Sequence, residues 1–325
     1  MINAGIIGGT GYTAGELIRL LIHHPETEIA FVYSMSRAGD AVAAVHQDLL
    51  GETELMFSSE INPNIDVLFL CTGHGNSVNF LKENHIDPEI KIVDLSRDFR
   101  LAGQQKFQAR DFVYGLPELQ KNKISDANNI ANPGCFATAI QLALLPLAQV
   151  SELQHDVHIH GITGSTGAGS SLSDTTHFSW RNNNVSVYKA LNHQHIAEIE
   201  QSITQLSYDF DSDLHFVPMR GNFTRGIFIS AYTQTNLSLE NARSLFEEFY
   251  ADAPFVHISP EPLHLKQVVN TNKCLLHIHK ENGQLLITSI IDNLLKGASG
   301  QALQNMNLMF DLNETAGLQL KPIHF

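Results

Sequence analysis

Apolar and polar positions follow one pattern in the first part of the chain and another in the second. Up to about Asn132, short apolar runs alternate with segments of helical periodicity, beginning with a strand at Ile2 to Ile7 and a helix at Tyr12 to Leu21. Further buried strands are predicted at Glu28 to Tyr33, Asp66 to Leu70 and Lys91 to Leu95. Strands that alternate with helices are typical of a doubly wound α/β domain with a parallel sheet.

The second part has longer strands in a different order. Strands are predicted at His155 to Thr163, His215 to Met219, Gly226 to Thr233, Lys273 to His279 and Gln284 to Asp292. Helices are predicted at Ile196 to Leu206 and Leu239 to Tyr250. This order indicates an α+β domain whose strands form a mainly antiparallel or mixed sheet. A last helix, which starts with small residues after Asp292, is expected to pack back against the first domain.

The stretch from Ile130 to Pro146 joins the two patterns. Its apolar residues run on from Phe136 with no helix breaker before Pro146, which predicts a buried helix ending at the proline. Pro133 and Gly134 make a sharp turn before it and place Cys135 at its start. The positive end of a helix lowers the pKa of a thiol, so this cysteine is a candidate nucleophile. A buried structural cysteine is the alternative.

A glycine-rich turn, Gly8-Gly9-Thr10-Gly11, leads from the first strand directly into the first helix. This is the context of a Rossmann-type dinucleotide site, where glycines let the backbone approach a pyrophosphate at the helix N-terminus. The spacing is GxxGxxxG, and a strand-turn-helix that binds no nucleotide remains the alternative. The predicted cofactor contacts in this turn are Gly8, Thr10, Gly11, Tyr12 and Thr13.

The end of the second strand carries Ser34-Met35-Ser36-Arg37, where an NAD enzyme would place an acidic residue against the ribose. Two hydroxyls and a guanidinium suit a 2′-phosphate, so Ser34, Ser36 and Arg37 favour NADP over NAD. An arginine in a solvated loop is the alternative.

Two more loops of small residues follow predicted strands. Gly73 comes after the strand at Asp66 to Leu70, and Gly167 lies in the glycine-rich loop from Gly164 to Ser171. Small residues at the carboxyl end of a strand line the ligand crevice of an open parallel sheet. Gly73 and Gly167 are therefore candidate cofactor contacts, with a flexible linker as the alternative for the second loop.

Composition narrows the function classes. The chain has 325 residues, 43% of them hydrophobic, and a formal net charge of −14, which disfavours partners such as nucleic acid or anionic membrane. Its three cysteines are far apart and include no CxxC pair, so neither a disulfide scaffold nor a thiolate zinc site is expected. The first residues lack a basic segment followed by a long apolar run, and we expect a cytoplasmic protein.

Histidine is the side chain whose ordinary pKa lies nearest neutrality, and seventeen are present. His195 is the best candidate for an acid/base group, because Asn192 to His195 is a polar loop that opens a predicted helix. A simple exposed histidine is the alternative.

Histidines on the predicted strands also raise the question of a metal. Asp156, His158 and His160 would share one face of a strand, as would His277 and His279. Imidazoles and a carboxylate can bind zinc, but alternating polar residues more often mark an open or interfacial sheet face. We expect no metal.

Five segments together resemble the N-acetyl-γ-glutamyl-phosphate reductases, arginine-biosynthetic enzymes. They are GGTGYTAGEL, VDLSRDFRL with YGLPEL, ANPGCFATA, NHQHIAEIEQ and IDNLLKGASGQALQNMNLMF, in the order of the family. The resemblance implies that Cys135 is the nucleophile and His195 the acid/base group. It also implies that the turn with Gly8 and Gly11 and the loop from Ser34 to Arg37 hold NADP, with Asn293 near the nicotinamide.

The resemblance further implies NADPH-dependent reduction of an N-acyl-γ-glutamyl phosphate to its semialdehyde in a homo-oligomer. Arg100, Lys189 and Arg225 are candidates for the phosphate or carboxylate of the substrate. Gln194 and Ala197 stand where the family usually has arginine and proline, so a substrate or orienting contact of that arginine is not expected here. The loop from Arg220 to Thr224 is longer than in the family, which suggests a different N-acyl group. A reductase of aminoadipyl or aspartyl phosphate and a nucleotide-sensing protein remain alternatives.

The predicted organisation follows from these sites. Residues 1–134 form an NADP-binding domain that is completed by a C-terminal helix within 297–325. Residues 135–296 form the catalytic and oligomerisation domain.

Overall fold

A computed structural model describes residues 1–73 and 75–324. By contacts between Cα atoms the chain divides into two compact units. Unit 1 comprises Met1–Pro133 and Ala298–Gln319, and unit 2 comprises Gly134–Gly297 with the residues from Leu320 onward. No helix among the described residues is long and apolar enough to cross a bilayer.

The strands, in chain order, are β1 (Ile2–Ile7), β2 (Thr27–Tyr33), β3 (Phe57–Ser58), β4 (Val67–Leu70), β5 (Lys91–Asp94), β6 (Lys106–Phe107), β7 (Arg110–Asp111), β8 (Val113–Tyr114), β9 (Asn129–Ala131), β10 (Val157–Thr163), β11 (Ser186–Val187), β12 (Leu214–Arg220), β13 (Ile227–Gln234), β14 (Val256–Ser259), β15 (Cys274–Glu281) and β16 (Gln284–Ile291). The helices are α1 (Tyr12–Leu21), α2 (Asn76–Glu83), α3 (Pro117–Ser125), α4 (Cys135–Gln149), α5 (Phe178–Arg181), α6 (Ile196–Leu206), α7 (Leu239–Phe249) and α8 (Gly300–Met309).

Unit 1 contains a seven-stranded parallel sheet in the order β3-β2-β1-β4-β5-β9-β8. The predicted doubly wound parallel sheet is confirmed. β4 is buried along its whole length, as expected for a central strand covered on both faces. The carboxyl ends of β1 and β4 are neighbours, so the segments that follow Ile7 and Leu70 lie side by side.

Unit 2 contains a second seven-stranded sheet in the order β11-β12-β10-β13-β16-β15-β14. The pairs β10-β12 and β14-β15 are parallel and the others antiparallel, which confirms the predicted mixed sheet. One face packs against α4 and α7, and α6 packs against α4. The opposite face of β10, β12 and β13 carries stacked rings of His158, His215 and Tyr232. These two histidines are partly exposed side chains on that face of the sheet.

The helix that begins at Cys135 does not end at Pro146, which corrects the expectation from sequence. α4 continues to Gln149 with Pro146 inside it. Proline has no N–H, so the carbonyl of Leu142 loses its partner within the helix. The hydroxyl of Tyr250 donates a hydrogen bond of 2.7 Å to that carbonyl and replaces the missing donor.

The C-terminal helix is shorter than the predicted range of 297–325. A π-helical turn over Leu295–Ser299 leads into α8, which ends at Met309, and turns follow it. Every residue of α8 is buried, and the helix packs against α1, α3 and β5. The hydroxyl of Ser299 donates to the carbonyl of Thr13 at 2.7 Å, which ties the start of the helix to α1. Phe325, the last residue of the predicted range, lies outside the described residues.

Candidate functional site

The glycine turn of unit 1 requires glycine for a steric reason. Gly8 follows β1 with φ at +79°, and an added Cβ would lie 2.6 Å from the carbonyl oxygen of Cys71. Gly11 is the N-cap of α1 and provides no side chain to cap it, and the first turn contains no acidic residue. The positive end of α1 therefore meets no protein anion in its own first turn, which fits a pyrophosphate.

Thr10, Tyr12 and Thr13 continue this turn in one local segment. The side chain of Thr13 hydrogen-bonds the Cys71 thiol, so its backbone amide is the group it can offer a ligand. Burial raises the pKa of Cys71 to about 12, and that thiol remains protonated behind the turn.

The loop after β2 presents the residues predicted to select NADP. The Oγ atoms of Ser34 and Ser36 lie 3.5 Å apart. Nη1 of Arg37 lies 3.3 Å from Oδ2 of Asp40, and both side chains are about half exposed. An exposed ion pair of this kind is weak, so a phosphate can compete for the guanidinium. Asp40 stands seven residues beyond the end of β2, outside the segment in which the sequence predicts the partners of the 2′-phosphate.

A buried carboxylate lies beneath the loop that contains Gly73. Asp94, at the end of β5, accepts hydrogen bonds from the hydroxyls of Ser77 and Ser96 at 2.6 and 2.7 Å. Burial raises its pKa to about 6, against the effect of these hydrogen bonds and of the nearby Arg100. Arg100 is itself only 4% exposed and donates to the carbonyl of Leu95 at 3.0 Å. The structure thus places this predicted substrate residue inside unit 1, while Gly73 is exposed.

Cys135 is the first residue of α4, as predicted, and it is partly exposed. Gly134 is the N-cap, and its N–H donates to Oε2 of Glu198 at 2.9 Å. A Cβ added to Gly134 would lie 2.3 Å from Nε2 of His195, and one added to Gly297 would lie 2.8 Å from Cβ of Cys135. Both glycines are needed because the imidazole of His195 and the turn at Gly297 pack directly against the backbone around the thiol.

His195 and His193 are both buried, so the alternative interpretation of them as simple exposed histidines is wrong. The backbone N–H of His195 donates to Nδ1 of His193 at 3.3 Å. The pKa of His193 is lowered to about 4, first by burial and then by the charge of Lys189, against an opposing effect of Glu198. His193 is therefore neutral near pH 7, which leaves its Nδ1 able to accept this hydrogen bond.

Glu198 was missed by sequence reasoning. It is 2% exposed, and its Oε1 lies 3.9 Å from Nε2 of His195 while its Oε2 binds the amide before Cys135. One carboxylate thus contacts both predicted catalytic segments. The available signal was its position three residues after His195 in the first turn of α6, since residues three apart share a helix face.

Gly167 and Asn293, two predicted cofactor residues, are brought together in unit 2. Oδ1 of Asn293 accepts from the amide of Gly226 at 2.7 Å, and its Nδ2 donates to Oγ1 of Thr166 at 3.0 Å. A Cβ at Gly167 would lie 4.0 Å from that same Nδ2. The loop after β12 lies alongside, because the amide of Thr166 donates to the carbonyl of Thr224 at 3.1 Å.

The two predicted substrate cations of unit 2 differ in their surroundings. Arg225 forms an ion pair with the fully buried Asp292, with Nε and Nη2 lying 3.1 and 3.0 Å from Oδ2. Lys189 is exposed, and its Nζ donates to Oε1 of Gln194 at 2.9 Å. Arg225 therefore positions the Asp292 turn. Among the described residues no carboxylate forms an ion pair with Lys189, which lies beside the histidine loop.

The structure does not bring the two predicted metal segments together, because β13 and β16 separate the histidines of β10 from those of β15. Within residues 1–73 and 75–324, the potential ligands that gather within 4.8 Å of one another are Asp156, Asp213 and His215. Both carboxylates are exposed.

Two family models match the chain. The semialdehyde dehydrogenase NAD binding domain matches residues 3–127, and the semialdehyde dehydrogenase dimerisation domain matches residues 135–293. In fold, the chain is similar to aspartate semialdehyde dehydrogenase II of Vibrio cholerae complexed with ASA, with a TM-score of 0.74 and 14% identity over 96% of this chain and 98% of that one. The enzyme of Francisella tularensis gives a TM-score of 0.70 with 13% identity, over 95% of this chain and 100% of that one.

The sequence similarity to reductases extends over the whole chain. The N-acetyl-γ-glutamyl-phosphate reductase of Flavobacterium johnsoniae is 59% identical over 325 residues, and that of Bacteroides fragilis is 56% identical over 326 residues. In both comparisons all of this chain and all of the relative are covered. The chain therefore belongs to the N-acetyl-γ-glutamyl-phosphate reductase family of semialdehyde dehydrogenases.

Proposed function

We propose that the protein catalyses the NADPH-dependent reduction of an N-acyl-γ-glutamyl phosphate to the N-acyl-glutamate semialdehyde, with release of phosphate, in arginine biosynthesis. The observation that carries this proposal is the cluster in unit 2, where Cys135 begins α4 and the ring of His195 packs against the preceding glycine. The names of the full-length relatives support the choice of substrate.

The chemistry begins at the thiol. The thiolate of Cys135, favoured by the positive end of α4, attacks the γ-carbonyl carbon, and the carbon–oxygen bond to phosphate breaks to leave a thioester and inorganic phosphate. NADPH, when bound, supplies the hydride that reduces the thioester carbonyl. His195 donates a proton to the developing oxyanion and takes it back when the hemithioacetal collapses. The carbon–sulfur bond then breaks, which returns the thiolate and releases the semialdehyde. Glu198 holds both the imidazole and the amide of Gly134 in place for these steps.

Unit 1 is proposed to hold NADP. The uncapped N-terminus of α1 and the close-packed Gly8 suit the pyrophosphate, and Ser34, Ser36 and Arg37 suit the 2′-phosphate. Unit 2 is proposed to carry catalysis and self-association, since the matching family model there is described as a dimerisation domain. A free thiol is kept reduced in the cytoplasm, which favours that compartment for an enzyme with a nucleophilic cysteine.

The decisive experiment is the reverse reaction. Purified protein, N-acetyl-glutamate semialdehyde and NADP⁺ should form NADPH only when inorganic phosphate is added, and NAD⁺ should serve poorly. A nucleotide-sensing protein would bind NADP⁺ without turnover. Turnover of aspartate semialdehyde in preference to the N-acyl-glutamate compound would instead support the aspartyl phosphate alternative.

A further inference from the structure

Two arginines of unit 2, Arg181 and Arg220, are not among the site residues predicted from the sequence. Arg181 ends α5, and Arg220 ends β12. They come close because β11, which follows α5, pairs with the end of β12 through Ser186 and Arg220. Within the described residues, Nε and Nη2 of Arg181 are buried and have no hydrogen-bond partner.

The guanidinium group of Arg220 contacts uncharged side chains. Its Nη1 donates to Oγ1 of Thr175 at 3.3 Å, and its Cζ lies 4.3 Å from the ring centre of Tyr188. In the part of the chain that the structure describes, no carboxylate forms an ion pair with either arginine. Arg225, by contrast, is neutralised by Asp292.

Tyr188 connects the two arginines to the thiol. Burial raises the pKa of this tyrosine, and the charge of Cys135 adds to the rise, whereas Arg220 and Arg181 oppose it. The ring is therefore close enough to Cys135, Arg181 and Arg220 for the charge of each to act on it. Tyr188 also packs edge-on against His193, with ring centres 5.8 Å apart, which fixes it to the catalytic loop.

The arrangement is unfavourable for the protein alone. Burial and the positive charge of Arg220 both lower the pKa of Arg181, because each disfavours its charged form. Buried N–H groups without acceptors also carry a desolvation cost. This pair stands in a chain with a net charge of −14, so it is a local concentration of positive charge and not part of a generally basic surface.

We propose that Arg181 and Arg220 form an anion subsite beside Cys135 that binds a carboxylate or phosphate group of the acyl substrate. A planar guanidinium presents paired N–H donors that match both anions, and the bound anion would relieve the repulsion between the two charges. The proposal rests on the proposed function, and it assigns substrate recognition to two arginines near Tyr188, whose ring packs against His193.

The test compares Arg181→Met and Arg220→Met with a matched control, Arg243→Met. Arg243 lies in α7 and donates to the carbonyl of Ile278 in β15. β10, β13 and β16 separate β15 from β12 in the sheet, so Arg243 is remote from Arg220. Its replacement by methionine changes the net charge by the same amount as the site variants. KM is measured in the reverse reaction for inorganic phosphate, for N-acetyl-glutamate semialdehyde and for N-succinyl-glutamate semialdehyde. We expect one of these KM values to rise about 10- to 100-fold in both site variants, the scale of losing a charge-assisted hydrogen bond, with kcat little changed.

The three arms identify the source of the anion. A rise for phosphate alone assigns the subsite to the leaving group, and a rise for both semialdehydes assigns it to the α-carboxylate. A rise only for the N-succinyl compound assigns it to a carboxylate on the acyl chain. KM values that match those of the control variant for every substrate would overturn the proposal.

A second readout does not need turnover. Alkylation of Cys135 by iodoacetamide should be slowed by inorganic phosphate or by N-succinyl-glutamate in the wild type, and this protection should be lost in Arg181→Met. If the wild type oxidises neither semialdehyde, the proposed function fails, yet protection would still detect the subsite. If no anion alters the alkylation rate and the variants unfold at the same temperature as the wild type, the two arginines do not form an anion subsite.

Discussion

The glycine turn of unit 1 comes from one short segment, Gly8 to Thr13, whereas the cluster around Cys135 is assembled from segments far apart in the chain. Gly134 and Cys135, the loop from Tyr188 to Glu198, and Gly297 meet in unit 2. The turn depends on backbone conformation and a helix end, so it tolerates changes elsewhere. The cluster depends on long-range packing, so its chemistry should be sensitive to residues that never touch the substrate.

The largest effect should come from the thiol. Cys135→Ser should abolish turnover while NADPH binding stays nearly unchanged, because the proposed cofactor contacts of the turn and the Arg37 loop lie in unit 1 and an alkoxide is far harder to form than a thiolate. Incubation with acyl phosphate and no NADPH should release about one phosphate per site from the wild type and none from the variant. A full burst from Cys135→Ser would break the covalent mechanism.

His195→Asn should be the next most damaging change. It should lower kcat by about 10²- to 10⁴-fold, the usual scale for loss of one general acid/base group. The helix end still favours the thiolate, so the phosphate burst should be retained but slower. Rapid-quench measurement of the burst separates this result from a misfolded protein, which would give no burst at all.

Arg37→Glu tests the proposed cofactor site of unit 1. It places a like charge at the proposed 2′-phosphate position, so KM for NADPH should rise about 10- to 100-fold while KM for NADH changes little. Asp40→Asn is the matched control, because it removes the carboxylate that now pairs with Arg37 and should leave NADPH binding equal or tighter. Equal losses for both cofactors would show that Arg37 does not read the phosphate.

Glu198→Gln tests the cluster side with a smaller change. The amide oxygen can still accept from Gly134, but the negative charge 3.9 Å from Nε2 of His195 is lost. A protonated His195 is then less favoured, so the alkaline limb of the kcat pH profile should move to lower pH, and kcat at neutral pH should fall about tenfold. Glu198→Ala should also destabilise the fold. If the pH profile of kcat is the same in Glu198→Gln as in the wild type, Glu198 has only a structural role.

The smallest effect is on stability. Folding lowers the pKa of His193 from its ordinary value to about 4, so the unfolded chain binds more protons between these values. This histidine therefore makes the protein lose stability as pH falls from about 6.5 to about 4, by up to about 3 kcal/mol. Urea unfolding across that range should show a shallower loss in His193→Gln than in the wild type.

Asp94 in unit 1 should act in the opposite direction and provides an internal check. Its pKa is raised by folding to about 6, so the folded state binds more protons than the unfolded state below that pH. The protein gains stability from this group as pH falls from about 6 to about 4. The contribution of His193 is therefore the difference between wild type and His193→Gln in the slope of unfolding free energy against pH. An identical slope in both proteins would contradict the lowered pKa of His193.

Much of this protein could be predicted from its sequence wherever the physical cause is local. The alternation of strands and helices indicated the parallel sheet, Gly8 marked a turn that only glycine can make, and Pro133-Gly134 placed Cys135 at the start of α4. These features depend on backbone sterics and side-chain periodicity within a few residues, and both can be recognised in a single stretch of chain.

Only the tertiary structure decided the features whose cause lies far away in the chain. α4 runs through Pro146 because Tyr250 supplies a donor to Leu142. Glu198 contacts both the amide of Gly134 and the ring of His195 because α6 packs against α4. Arg181 and Arg220 become neighbours through the pairing of β11 with β12. In each case a buried polar group acquires its neighbour by long-range packing, and no local pattern of residues records which distant segment will provide it.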